Sequence, residues 1–147
     1  MERKTKCCIL EDKKGGEKMY NHILYISYWL VNAVVFYFVY RIFPQHFVLG
    51  NWKFLPVEGA IYSSFWLTFF VWTVWDFLHA RGIKASVGVA ANFYFWLINA
   101  VGILIVARFS QFLGLSISGF IWAIICGGIA NVVQRFVWGL VTRRSIR

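Results

Sequence analysis

An all-α membrane protein of four transmembrane helices, arranged as two parallel-repeat hairpins, is the fold this sequence predicts, and three observations predict it. Four apolar runs are each long enough to cross a bilayer, the charges gather at the ends of those runs, and a motif in the first run returns in the third. Of the 147 residues, 60% are hydrophobic and 20% aromatic while 14% are charged, a balance outside the range of soluble domains.

A helix needs about 20 mostly apolar residues to cross the hydrocarbon core. The runs that meet this length go from His22 to Phe43, Gly59 to His79, Ala85 to Arg108 and Ser116 to Val141. They divide the chain into a charged tail (1–21), a transmembrane domain (22–141) and a basic C-terminus (142–147). The first run follows a charged tail, is too long for a signal-peptide core and has no small-residue cleavage site after it, so it reads as a retained span.

Orientation follows from the basic residues, because translocated loops rich in Lys and Arg are disfavoured. The tail holds Arg3, Lys4, Lys6, Lys13, Lys14 and Lys18, the middle loop Arg81 and Lys84, and the C-terminus Arg143, Arg144 and Arg147. Four spans put all of these on one side and leave Arg41, Lys53 and Arg108 on the other. Both termini are therefore expected in the cytoplasm, with the chain in the cell inner membrane. Topology and attraction to anionic headgroups account for the formal charge of +9, so the expected partners are membrane lipids and not nucleic acid. Self-association into a homo-oligomer is left open.

The repeat is read from Tyr28 to Ile42, YWLVNAVVFYFVYRI, against Phe95 to Phe109, FWLINAVGILIVARF, with seven identities in fifteen positions. Asn32 matches Asn99 and Arg41 matches Arg108. Extended onward, the alignment sets Gly59-Ala60-Ile61 against Gly119-Phe120-Ile121, which puts Arg135 opposite Trp75. Since the first and third helices cross in the same direction, the halves would be related by a pseudo-two-fold axis along the membrane normal. Tyr20, Trp52, Tyr62, Trp75 and Trp138 suit the headgroup level.

The polar residues inside the spans are expected to be structural. Asn32 and Asn99 are read as hydrogen-bonding across the bundle interior, with a hydrated path as the competing role. In the fourth span, Gly119, Ala123, Gly127 and Asn131 recur every four residues and form a small-residue stripe for a close helix contact. Asp76 and Arg135 lie near the cytoplasmic ends of their spans, where an ion pair between them would lower the cost of each charge.

Catalytic and cofactor chemistry is sought and not found. Cys7 and Cys8 lie in the tail and Cys126 inside a span, which implies neither a disulfide framework nor a redox pair. Asp76 and His79 stand one helical turn apart without a third ligand, so no metal site is expected, and His22 and His46 read as solvated at the interfaces. No cofactor is expected, and no enzymatic activity.

Two resemblances add to this reading. The segment Gly127 to Val141, GGIANVVQRFVWGLV, resembles the motif of lipoprotein signal peptidases, with Asn131, Arg135 and Gly139 in place. Gln134 stands where those enzymes carry a catalytic Asp, however, and an aspartic dyad needs two carboxyls. More of the chain, from Ile26 onward, resembles the phage holin family 4 group of small bacterial membrane proteins. The elements that carry this are Trp-Leu-Val-Asn-Ala at Trp29 to Ala33, Trp-Leu-Ile-Asn-Ala at Trp96 to Ala100, and Leu115 to Phe120 ahead of a small-residue helix. The sequence His79 to Lys84 departs from that group's Leu-Thr-Leu-Pro stretch, and the charged tail is extra. The resemblance implies a small, non-enzymatic inner-membrane bundle that is oligomeric or pore-forming. A small transporter or channel, and a scaffold subunit of a membrane complex, are the alternatives.

Overall fold

The computed structural model describes residues 2–81 and 89–145, with side chains from Asn21 onward apart from those of 79, 89–91 and 142–145. The chain runs α1 (Glu2–Ile42), β1 (Phe47–Leu49), α2 (Pro56–Ala80), α3 (Val89–Arg108), α4 (Ser110–Leu113), β2 (Leu115–Ile117) and α5 (Phe120–Ser145). At a rise of about 1.5 Å per residue, each of the four long helices is at least as long as a hydrocarbon core is thick, about 30 Å. By length and composition, two stretches are apolar enough to cross a membrane, Asn21–Ile42 and Phe120–Val141, and Asn92–Arg108 is a shorter apolar helix.

Helix pairing follows the chain. α1 packs on α2 and α3 on α5, and the two hairpins meet along α1 with α5 and α2 with α3. Both hairpin connections lie at one end of the bundle, where β1 and β2 form an antiparallel ladder with Phe47 opposite Ile117, Val48 opposite Ser116 and Leu49 opposite Leu115. This ladder corrects two expectations. The fourth helix begins at Phe120 and not at Ser116, because residues 115–117 pair with β1, and the connection from Pro44 to Glu58 contains a strand and the first turn of α2. Pro56 opens α2, where its missing N–H costs nothing, and the Glu58 carboxylate accepts from the Leu55 backbone N–H at 3.0 Å to cap that turn. The expected start of the third span at Ala85 falls outside the described residues.

Three glycines let the backbones cross at this end. A Cβ on Gly59 would lie 2.8 Å from the Gly50 nitrogen and 3.0 Å from the Gly114 oxygen, and the Gly50 N–H donates to that oxygen at 2.8 Å. Gly50 and Gly114 have φ of 92° and 76°, a region that favours glycine. Asn51 ties the first connection to the second: its amide donates to the Gln111 carbonyl at 2.7 Å while its oxygen accepts from the Lys53 and Phe54 backbones.

The core above the ladder is built from Phe36, Phe47, Leu67, Ile103, Leu115, Ala123 and Cys126, all buried. In α1, positions 32, 33, 35, 36 and 39 are buried, and in α3 positions 99, 100, 102, 103 and 106, each 67 residues further on. In α2 the buried face takes positions 60, 63, 64, 67, 68 and 71, and in α5 positions 123, 126, 127, 130, 131 and 134, each 63 residues further on. That spacing differs by three residues from the 60 that the sequence alignment assigns to these helices. A three-residue slip is nearly one helical turn, so both registers keep the apolar pattern and only packing separates them.

Candidate functional site: a central amide network and the cavity beneath it

Polarity runs inside out in this bundle. Asn32, Ser63, Ser64, Thr68, Asn99, Asn131 and Gln134 are buried, whereas Leu30, Val34, Phe38, Ile121, Val132 and Phe136 face outward, Val34 at 68% and Phe136 at 70% exposure. Every buried side-chain nitrogen or oxygen among the described residues has a hydrogen-bond partner. In a medium without water an unmet amide is expensive, and this interior leaves none.

At mid-height four of these side chains, Asn32, Thr68, Asn99 and Gln134, join into one network that touches all four long helices. The Gln134 amide nitrogen donates to the Asn32 oxygen at 2.9 Å and to the Asn99 oxygen at 3.1 Å. The Asn99 amide returns a bond to the Gln134 oxygen at 3.0 Å and another to the Phe95 carbonyl at 2.9 Å. Asn32 in turn donates to the Thr68 hydroxyl at 3.0 Å, and Thr68 to the Ser64 carbonyl at 2.8 Å. The two asparagines singled out from the sequence thus face the interior together, but they are bridged by Gln134 and not bonded to each other. Gln134 was legible in the sequence only as the residue replacing an aspartate in a protease motif. An amide carries donors and an acceptor at once, which is why it can link two other amides where a carboxylate could only accept.

Smaller polar ties hold each hairpin. The Trp29 indole donates to the Ile61 carbonyl at 2.9 Å, and the Trp96 indole to the Ile124 carbonyl at 2.8 Å. Asn131, expected as part of the small-residue stripe, donates to the Asn92 side chain at 3.0 Å. Of the other stripe members, Gly127 lies against the α3 backbone, since a Cβ there would meet the Ala100 nitrogen at 2.7 Å, whereas a Cβ on Gly119 meets nothing within 4 Å. The stripe is an intramolecular α3–α5 contact, and Gly119 is not part of it.

On the side of the network away from the ladder, the four helices border a half-open cavity of about 470 Å³. Tyr28, Trp72, Trp75, Phe95 and Trp138 line it together with Asp76, Arg135, Asn131 and Gln134. Asp76 and Arg135 therefore share one space, but among the described residues no ion pair joins them. The helix register explains the difference from expectation. At the 63-residue spacing of the buried faces Arg135 matches Trp72, and Asp76 lies four residues beyond it, about 6 Å along a helix axis. The Asp76–His79 pair involves a side chain outside the described set, as do Cys7 and Cys8. No group of three His, Cys, Asp or Glu residues suited to a metal occurs among the described residues.

The sequence also gave no hint of the contact between His46 and Ser118. The imidazole Nδ1 lies 3.0 Å from the Ser118 hydroxyl and its ring stacks on Trp122 at 4.6 Å, which fastens the two connections together. No protein-family model, curated protein or solved structure matches the chain.

Proposed function

We propose that this chain is a small, non-enzymatic integral protein of the inner membrane, similar in build to the holin-like four-span proteins. Its helices form two parallel hairpins about a pseudo-two-fold axis, with both termini in the cytoplasm. The observation that carries the membrane reading is the distribution of polarity: hydrogen-bonded amides and hydroxyls set within the buried core, and an outer surface made largely of exposed Leu, Val, Ile, Phe and Trp. A water-soluble bundle would place these the other way round. The hairpin repeat is supported by the shared burial pattern of α1 with α3 and of α2 with α5. The matched tryptophan bonds support it too, as does a β-ladder whose antiparallel register is what a two-fold axis through Val48 and Ser116 would generate.

Phe36, Leu67, Ile103 and the amide network fill the axis between the ladder and the cavity. This favours a closed protomer, in which any permeation would need several copies. Two experiments test the reading. Induced expression should leave the membrane potential of the host intact, and an abrupt collapse followed by lysis would establish a lethal pore instead. An impermeant thiol reagent applied to intact cells should fail to reach Cys7 and an engineered Ser145→Cys, and labelling of either would overturn the orientation. The blind cavity favours a second reading, a small transporter closed on the ladder side. Accessibility of a Gln134→Cys thiol from both sides in turn would favour it over the static bundle.

A further inference from the structure

We infer that the cavity beneath the amide network is a binding site for a small zwitterion, an ammonium group and an oxyanion on one compact body, with Asp76 facing the ammonium and Arg135 the oxyanion. The inference rests on the proposed membrane placement, which sets the exposed side chains of Asp76 and Arg135 near the headgroup level. Three observations lead to it.

First, one carboxylate and one guanidinium line the same cavity without neutralising each other. Charges of opposite sign attract each other, and their separation across one half-open cavity leaves room for an occupant that answers both. A ligand with a single charge would compensate one residue and strand the other. Second, the lining suits an ammonium. Trp72, Trp75 and Trp138 supply aromatic surface of the kind on which organic cations sit, and Arg135 brings the planar fork that recognises phosphate and carboxylate. The volume, about 470 Å³, falls within the range of small-molecule pockets, about 300–1,000 Å³.

The third observation is the asymmetry between the halves. At the 63-residue spacing of the buried faces, Trp75 corresponds to Trp138, but Trp72 corresponds to Arg135 and Asp76 to Gly139. One half puts its charge where the other has Trp, and the other half's charge faces a position held by Gly. Packing therefore does not demand a charge at either place, since an uncharged residue serves at its counterpart. What the two substitutions create together is a cavity with a negative and a positive pole.

Such a zwitterion has two sources, a soluble metabolite or the headgroup of a membrane lipid, and the experiment separates them. The full chain is purified in maltoside detergent and titrated calorimetrically with phosphorylethanolamine, with ethanolamine alone and with inorganic phosphate alone. In parallel, the chain in nanodiscs of equal phosphatidylethanolamine and phosphatidylglycerol is analysed by native mass spectrometry for the lipid it retains. Saturable binding of phosphorylethanolamine above either half-molecule, preferential retention of phosphatidylethanolamine, or both, is the expected result. Asp76→Asn and Arg135→Gln should each weaken it by about tenfold or more and Arg135→Lys, which keeps the charge but loses the fork, by less, while Asp76→Glu largely keeps it. Lys53→Gln, at the ladder end, should leave it unchanged, and the gel-filtration profile of each variant verifies folding. The inference is overturned if neither arm shows binding, if one half-molecule binds as well as the whole, or if the binding ignores both charge removals. The detergent titration needs no orientation, so thiol labelling that overturned the topology would leave this result standing.

Discussion

The two ends of the bundle are held by different means. At the ladder end, backbone meets backbone: strands pair in register, Gly50 bonds to Gly114, and Gly59 leaves no room for a side chain between them. At the other end the same four helices border a half-open cavity lined by aromatic rings and by two charges that form no ion pair among the described residues. The network of Gln134, Asn32, Asn99 and Thr68 lies between the two. The comparison teaches that close backbone contact and open space are divided along the axis. The ladder end ties the hairpins together, while the far end carries Asp76 and Arg135 on the wall of a cavity.

The largest expected effect breaks the tight end. Gly59→Val places a side chain where even a Cβ stands 2.8 Å from backbone, and backbone cannot yield as a flexible side chain does. Overpacking of this kind costs about 1–3 kcal/mol and occasionally more, so a clear fall in the thermal midpoint of the detergent-purified protein is expected. An unchanged midpoint would show that the ladder end is looser than described.

Next comes the middle. Gln134→Leu leaves the Asn32 and Asn99 oxygens without their donor, at about 1–3 kcal/mol for unmet buried groups, moderated where membrane helices find other partners. Replacing all three amides by Leu should cost less than the separate losses added together, because no member is then left unpaired. Strict additivity in the same melting experiment would argue that the three amides do not act as a unit.

Smaller again is the loss of one hairpin tie. Trp29→Phe removes the bond to the Ile61 carbonyl while keeping an aromatic ring, and about 0.6 kcal/mol is the average for a polar contact between membrane helices. The equivalent change at Trp96 should match it, and a large difference between the two would separate hairpins that otherwise resemble each other. The smallest effect belongs to Gly119→Ala, where an added methyl meets nothing within 4 Å. A change within about 0.5 kcal/mol is expected, and a larger one would restore Gly119 to the helix contact that its spacing suggested.

The helical class and the interior position of Asn32 and Asn99 could be read from the chain without coordinates. Apolar runs of that length have few other folds open to them, and an amide inside such a run must find a partner. Local pattern also marked both hairpin motifs, since the match between Trp29 to Ala33 and Trp96 to Ala100 concerns residues adjacent in sequence. What it could not supply was the register of α2 against α5. Slipping one helix by nearly a turn keeps every apolar residue on an acceptable face, so composition is indifferent to the choice, while packing is not: Gly127 must meet Ala100 and Gln134 must reach both asparagines. That register matches Arg135 to Trp72 and not to Trp75, and among the described residues the two charges share a cavity without the expected ion pair. The short β-ladder was hidden for a related reason. Three-residue strands carry too little pattern to be seen alone, and they pair only because two connections far apart in the chain are brought to the same end of the bundle.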